Sequence, residues 1–287
     1  SAAAYLKPAR ERKNLTIITH AQAEKLLIKD GQATGVTVNV RGKSQDILAR
    51  REVVLSAGTI GSPQILMLSG IGAADELKQQ GIVLVHNLPG VGKNLQDHLQ
   101  ARPVFKTNLS TINIETNNLF KQSLIALQYA LTQTGPMTMA ASLGTGFLKT
   151  DPSLDSPDIQ FHIQPFSASA PADGPHKFSA FTASVLQMRP ESTGHIALKS
   201  SNWRDYPAIN PNYLATKLDQ DTIVKGIQIA RKISQFEPLK THVTEEFTPG
   251  PGIAMNDYDA TLQWARETSV TIYHPTGTCK MGQDDMA

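Results

Sequence analysis

The first fifty residues fall into short β-branched and apolar runs separated by turn residues. Leu15-Thr16-Ile17-Ile18-Thr19 has extended character, and Leu26-Leu27-Ile28 and Val36-Thr37-Val38 flank Asp30-Gly31, a dipeptide suited to a hairpin turn. These runs predict a small meander of strands. Val53-Val54-Leu55 is a continuous apolar run ending in Ala57-Gly58, the pattern of a strand buried in a parallel sheet. Ser62 is placed to cap the helix that follows, with Pro63 in its first turn, where a missing N–H costs nothing, and Gly70 or Gly72 at its end. Strand, glycine turn and helix start form a unit whose backbone N–H groups can approach a phosphate. The same pattern equally fits a βα unit with a tight turn and no ligand.

From about Leu99 the texture changes. Phe120, Leu124, Leu127 and Leu131 recur at helical spacing and predict an amphipathic helix over 116–133, stopped by Gly135-Pro136. Ile159, Phe161 and Ile163 alternate with Gln160, His162 and Gln164, the period-two signature of a half-buried strand. Further strands are predicted at Ala180 to Met188 and His195 to Lys199. Ile223, Ile227, Ala230 and Ile233 mark a helix capped by Asp219 or Asp221, and Tyr258, Leu262 and Ala265 mark a last one introduced by Asn256-Asp257. Strands clustered with helices in this way suggest a mostly antiparallel sheet backed on one side. Ser167 to Pro175 reads as a loop that lies over a substrate entrance.

Composition narrows the picture. The chain has 287 residues, 40% hydrophobic and 18% charged, ordinary values for a folded globular protein. A formal charge of +2 is too small to imply nucleic acid, and the densest basic run, Arg10-Glu11-Arg12-Lys13, is diluted by a glutamate. The single cysteine, Cys279, leaves no internal disulfide framework and disfavours Cys/His metal sites, so no metal is expected. No apolar run approaches the roughly 20 residues of a membrane-spanning helix, and no secretion signal is visible. The expected location is cytoplasmic, with membrane association of a complete enzyme left open.

Three ordered motifs then carry the functional reading. They are Val53 to Gly72, the segment Leu88-Pro89-Gly90-Val91-Gly92-Lys93-Asn94-Leu95-Gln96-Asp97-His98, and Tyr273-His274-Pro275-Thr276-Gly277-Thr278. Together with Ala4 to Arg10 they closely resemble the glucose-methanol-choline (GMC) oxidoreductases, flavoenzymes that oxidise alcohols with bound FAD. The resemblance spans nearly the whole chain. It implies an α/β, Rossmann-like part of an FAD-binding domain over 1–98, an α+β substrate domain over 99–268, and a return segment over 269–287 bearing the histidine motif. It also implies FAD contacts at Ala23, Ala57, Gly58, Asn94, Asp97 and His98, and a small-molecule alcohol as substrate.

The same resemblance makes His274 the catalytic base. Alcohol oxidation removes a hydroxyl proton while a hydride moves from the carbinol carbon to flavin N5, and an imidazole titrates in the right range to hold that proton. Pro275 biases His274 toward an extended conformation, and Gly277 allows a close backbone approach to a neighbour such as a flavin ring. Asp97 and His98, adjacent on an extended segment, point opposite ways, which favours a structural or flavin-edge role over an acid/base pair. His162, on the polar face of its strand, is a candidate for lining the substrate cavity.

Two family features have no counterpart in the 287 residues: the N-terminal Gly-x-Gly-x-x-Gly that holds the FAD pyrophosphate and the second histidine or asparagine downstream of the histidine motif. The chain therefore reads as an internal piece of a longer flavoprotein whose missing parts are its partners, and one expected to hold FAD weakly or not at all alone. Choline-oxidising members carry a glutamate in a stretch matched here by Ser142 to Phe147, where Leu143 stands at its place. That disfavours strict choline specificity and favours a more apolar primary alcohol. The competing readings are a hydroxynitrile lyase of the same fold and a noncatalytic substrate-domain fragment.

Overall fold

The computed structural model describes residues 2–140, 142–169 and 174–287. Their contacts define two compact units, one made of 1–95, 195–210 and 277–287, the other of 96–194 and 211–276. The chain passes between them four times, whereas the sequence suggested one division near 98 and a return from 269. Residues 195–210 thus group with the first unit and 269–276 with the second.

The first unit holds the meander. Strands Ala21–Lys29, Gln32–Val40 and Lys43–Leu48 pair antiparallel in sequence order. Asp30-Gly31 and Arg41-Gly42, all with positive φ, turn the two hairpins, as two-residue loops between right-twisted strands require. The third strand escapes a hydrophobicity pattern because Lys43-Ser44-Gln45-Asp46 is polar and exposed. It is held by its backbone ladder and by Thr37 Oγ1 donating to Asp46 Oδ1 at 2.8 Å.

Two expectations fail here for the same physical reason. Leu15–Thr19 forms no strand, and Val53–Leu55 is neither paired nor buried, Val54 being 77% exposed. A strand exists only where a neighbour completes its hydrogen bonds, and no described segment pairs with either run. The following helix, Gly58–Leu68, begins four residues before Ser62, with Ala57 at its N-cap position and Pro63 well inside. Ser62 instead accepts the Ala57 N–H at 3.1 Å. Pro63 has no N–H to offer the Thr59 carbonyl one turn back, and the buried Thr278 hydroxyl donates to that carbonyl at 2.5 Å. Gly70, at φ +84°, follows the helix; an added Cβ would meet the Val83 carbonyl at 2.4 Å. Met67, Leu77, Val91, Leu95 and Ile196 form this unit's core.

The second unit is built on a seven-stranded antiparallel sheet ordered Val243–Thr248, Val104–Thr107, Ala180–Gln187, Leu99–Ala101 and Val270–Thr271; Ile159–Gln164 pairs with Ala180–Gln187, and Gly144–Leu148 with Ile159–Gln164. Ala180–Gln187 is central. On one edge it pairs with Ile159–Gln164; on the other it pairs with 104–107 and 99–101 in a single register, interrupted at Arg102-Pro103. One face carries Ala101, Phe105, Ile159, Phe161, Ala183 and Val185 into the main core, against Ile223, Ile227 and Ala230 of helix Lys217–Ile233 and Leu262 and Ala265 of helix Tyr258–Thr268. Helix and sheet meet closely at Gly226, where a Cβ would lie 2.8 Å from Val185. The architecture is mixed, an α/β and α+β fold with mostly antiparallel sheets.

Asp257 caps helix Tyr258–Thr268, accepting the Ala260 N–H. Thr216, rather than Asp219 or Asp221, caps helix Lys217–Ile233. Asp219 lies in its first turn, buried, and accepts the N–H groups of Glu191 (3.0 Å) and Ser192 (2.8 Å). Helix Leu119–Thr132 forms inside the predicted range and stops at left-handed Gln133. Its apolar stripe is open, Phe120 being 73% and Leu131 74% exposed. Helical spacing fixes the helix without specifying a cover for it. No helix among the described residues is long and apolar enough to cross a membrane.

Burial alone pushes the Asp219 carboxyl up, but hydrogen bonds from Ser192 and the Glu191 N–H outweigh it and leave the group below its ordinary 3.8. A lowered carboxylate stabilises the fold at neutral pH and loses that contribution as pH falls below about 4. Asp219→Ala should cost about 1–3 kcal/mol for the stranded N–H groups and flatten the acid limb of a urea-denaturation series; an unchanged midpoint would contradict this role.

Candidate active site

On the sheet face opposite the main core, the second unit encloses a cavity of about 500 Å³ lined by Gln100, Arg102, His162, Gln164, Phe166 and the run Val270–His274. Strand alternation puts His162 and Gln164 there because Phe161 and Ile159 face the other way. Ser142, beside Leu143, also lines it, while the Leu143 side chain is mainly exposed. Of the loop expected over the entrance, Ala168, Gly174 and Pro175 line the cavity; residues 170–173 fall outside the described residues.

His274 stands at the rim because two segments run antiparallel. Gln96 and Thr276 exchange backbone hydrogen bonds at 3.0 and 2.8 Å, Ile272 N–H donates to the His98 carbonyl at 3.3 Å, and Thr271 pairs with Leu99. Between them sits Asp97, buried. One carboxylate oxygen accepts the His274 N–H at 3.0 Å; the other accepts the Tyr213 hydroxyl at 2.5 Å and the Thr271 hydroxyl. Tyr273 is left-handed, at φ +64°, and turns the chain so that His274 enters the rim. The His98 ring lies edge-on to the His274 ring, 5.8 Å between centroids, with His98 Nδ1 2.8 Å from the Gln187 carbonyl.

Burial raises the Tyr213 phenol, and the hydrogen bond to Asp97 raises it further, so it stays a protonated donor. His162 is pushed below its ordinary 6.5, first by burial and then by His274 and His98. Burial likewise lowers the Arg102 guanidinium. The cavity thus gathers two histidines, His162 and His274, and the half-buried His162 favours its neutral form.

The other sequence candidates lie in the first unit. Asn94 is left-handed, at φ +59°, and its side chain donates to the Gly277 carbonyl at 3.3 Å. An added Cβ on Gly277 would sit 2.2 Å from the Asn94 carbonyl, so the close backbone approach that glycine permits is to Asn94. Gly92 N–H donates to the Thr278 carbonyl beside them at 2.9 Å. Ala57 and Gly58 open the Gly58–Leu68 helix, and the space where a Gly58 Cβ would lie is empty. Ala23 sits at a β-bulge in the first strand, between its pairing with Val38 and that of Lys25 with Thr37.

The structure therefore joins Asp97, His98 and His274 in one unit and Asn94 with the Gly277 backbone in the other. Sequence reasoning missed Arg102, Tyr213 and Thr271. Arg102 follows Gln100 at strand spacing, a signal available in principle; nothing local links Tyr213 to a carboxylate 116 positions away.

Two family models described as GMC oxidoreductase match this chain, one over residues 1–100 and one over 190–287. It is 39% identical to an alcohol dehydrogenase [acceptor] of Pseudomonas putida, over 99% of this chain and 52% of that protein. It is 37% identical to the mitochondrial choline dehydrogenase of Homo sapiens, over 99% of this chain and 47% of that protein. Among solved structures it resembles pyridoxine 4-oxidase from Mesorbium loti, with TM-score 0.83 and 27% identity over 100% of this chain and 52% of that one. A formate oxidase from Aspergillus oryzae gives TM-score 0.86 and 25% identity over 94% of this chain and 52% of that one. The chain spans about half the length of the curated relatives it matches. With both family models together covering most of its residues, and its motifs set out as above, the chain belongs to the GMC oxidoreductase family.

Proposed function

We propose that the complete protein oxidises an alcohol to an aldehyde with bound FAD, and that His274 takes the hydroxyl proton. The observation that carries this reading is the position of His274 at the rim of a cavity, its backbone fixed by a buried carboxylate. Names of the relatives, alcohol and choline dehydrogenases, support the reaction class.

FAD fits the residues present in part. Open space at Gly58, at the start of an eleven-residue helix, suits close backbone approach, and the Ala23 bulge leaves a backbone edge to meet an adenine. Nothing in the sequence offers a Gly-x-Gly-x-x-Gly cradle for the pyrophosphate, and Val53–Leu55 lies bare where a parallel strand would need neighbours. We assign the remainder of the FAD domain to sequence beyond these 287 residues. In the first unit Ala23, Ala57, Gly58 and Asn94 would hold the cofactor; in the second, Asp97, with both oxygens engaged, acts by positioning His274. Bound FAD would supply the hydride acceptor.

The protein's own task is proton handling. His274 accepts the alcohol proton as the carbinol hydrogen leaves. His162, whose burial favours the neutral form, offers a hydrogen bond to the alcohol oxygen without placing another full positive charge beside the base. Leu143, standing where choline oxidisers carry a glutamate, adds no anion for a quaternary ammonium.

Three outcomes follow. The 287-residue chain alone should retain well under one equivalent of flavin; near-equimolar flavin absorbance after purification would refute the division of the domain. In the complete protein, an alcohol added without oxygen should bleach the flavin, and His274→Ala should reduce turnover by about 10²- to 10⁴-fold; an oxidised flavin after addition would indicate a lyase instead. Histidine NMR should show His162 titrating below its ordinary 6.5, and His274→Gln should move it upward by removing one repulsive charge. No movement would separate the two rings electrostatically.

A further inference from the structure

The register that pairs Ala101 with Val185 also pairs Val104 with Thr182, so between them Arg102 falls opposite Ser184, and Ser184 is paired with His162 on its other side. Arg102, Ser184 and His162 thus form one cross-strand row on the cavity face of the sheet. In this row Arg102 Nε, Ser184 Oγ and His162 Nε2 are all buried without a hydrogen-bond partner. Three orphaned groups in adjacent positions are unusual in a folded protein, where buried polar atoms are nearly always satisfied. No carboxylate among the described residues pairs with Arg102, and none of the described residues lining the cavity is acidic.

We infer that Arg102 selects the substrate: the alcohol this cavity takes carries a carboxylate, which pairs with the guanidinium while the hydroxyl end meets His274. This rests on the alcohol-oxidation reading and specifies its substrate class.

The argument is one of charge and donor count. A guanidinium is always a donor, a serine hydroxyl can donate, and a neutral imidazole donates from one nitrogen. The row therefore offers an excess of donors and one partly desolvated positive charge that no described carboxylate compensates. Leaving such a charge unpaired is costly, and a carboxylate that docks bidentately offsets the cost with charge-assisted hydrogen bonds. Choline would bring a second cation to the same place. An aliphatic chain between the two ends suits Phe166 and Val270, and about 500 Å³ is room for a molecule of that size.

Non-oxidisable probes test this in the complete, flavin-loaded protein. By calorimetry, hexanoate should bind at least about tenfold more tightly than its neutral isostere hexanamide, with hexyltrimethylammonium weakest, a gap of the size expected for one charge-assisted pair. Arg102→Gln should erase the preference for hexanoate over hexanamide, and Arg102→Lys, which keeps the charge but not the fork, should restore part of it. In turnover, the kcat/KM ratio of 6-hydroxyhexanoate to 1-hexanol should fall by the same factor in Arg102→Gln. Equal binding of hexanoate and hexanamide, tighter binding of the ammonium, or an undiminished preference in Arg102→Gln would overturn the inference. If alcohols bleach the flavin without a carboxylate preference, oxidation stands and this inference fails; if hexanoate is preferred through Arg102 while no alcohol bleaches the flavin, the reverse holds.

Discussion

One buried carboxylate organises the second unit's rim. Asp97 accepts from the His274 backbone and from the hydroxyls of Tyr213 and Thr271, three donors from two segments distant in sequence. A carboxylate in so dry a place is tolerated because its lone pairs are filled. The phenol that fills one of them is held protonated by the same burial, so the donor cannot be lost near neutral pH. The imidazole of His274 inherits its position from this arrangement: its backbone is fixed, its following proline restricts it, and the left-handed Tyr273 sets the angle at which it enters the cavity.

How much of this was legible depended on whether the determining contact was local. Asp30-Gly31, the alternation of Ile159 to Gln164 and the cap at Asp257 are written in neighbouring residues, and the elements formed where the pattern put them. Val53-Val54-Leu55 has every property of an interior strand except a neighbour, and pairing is not a property of one segment. Ser62-Pro63 looked like a helix start because proline is usually harmless only in the first turn. Here a threonine more than two hundred positions away supplies the missing hydrogen bond, and the helix runs on through. The apolar stripe of helix Leu119–Thr132 specifies the helix and says nothing of what meets it.

The site divides in the same way. His274 and the Gln96-Asp97-His98 segment were visible as motifs, and the structure sets them antiparallel within a few ångströms. Both neighbours meet His274, Asp97 at its backbone N–H and His98 edge-on to its ring. Arg102 was passed over because an isolated arginine before a proline resembles a strand end. Its meaning emerges only from the sheet register, which brings it to Ser184 and His162.

The interruption at Arg102-Pro103 has a consequence for how such a protein changes over time. Main-core side chains and cavity side chains alternate along the same strands yet never share a face, so residue 102 can be exchanged without disturbing Ala101 or Phe105 behind it. Selection can therefore revise what the hollow admits while the scaffold's packing stays intact, and relatives with one backbone can diverge in diet through a handful of side chains on a single pleat.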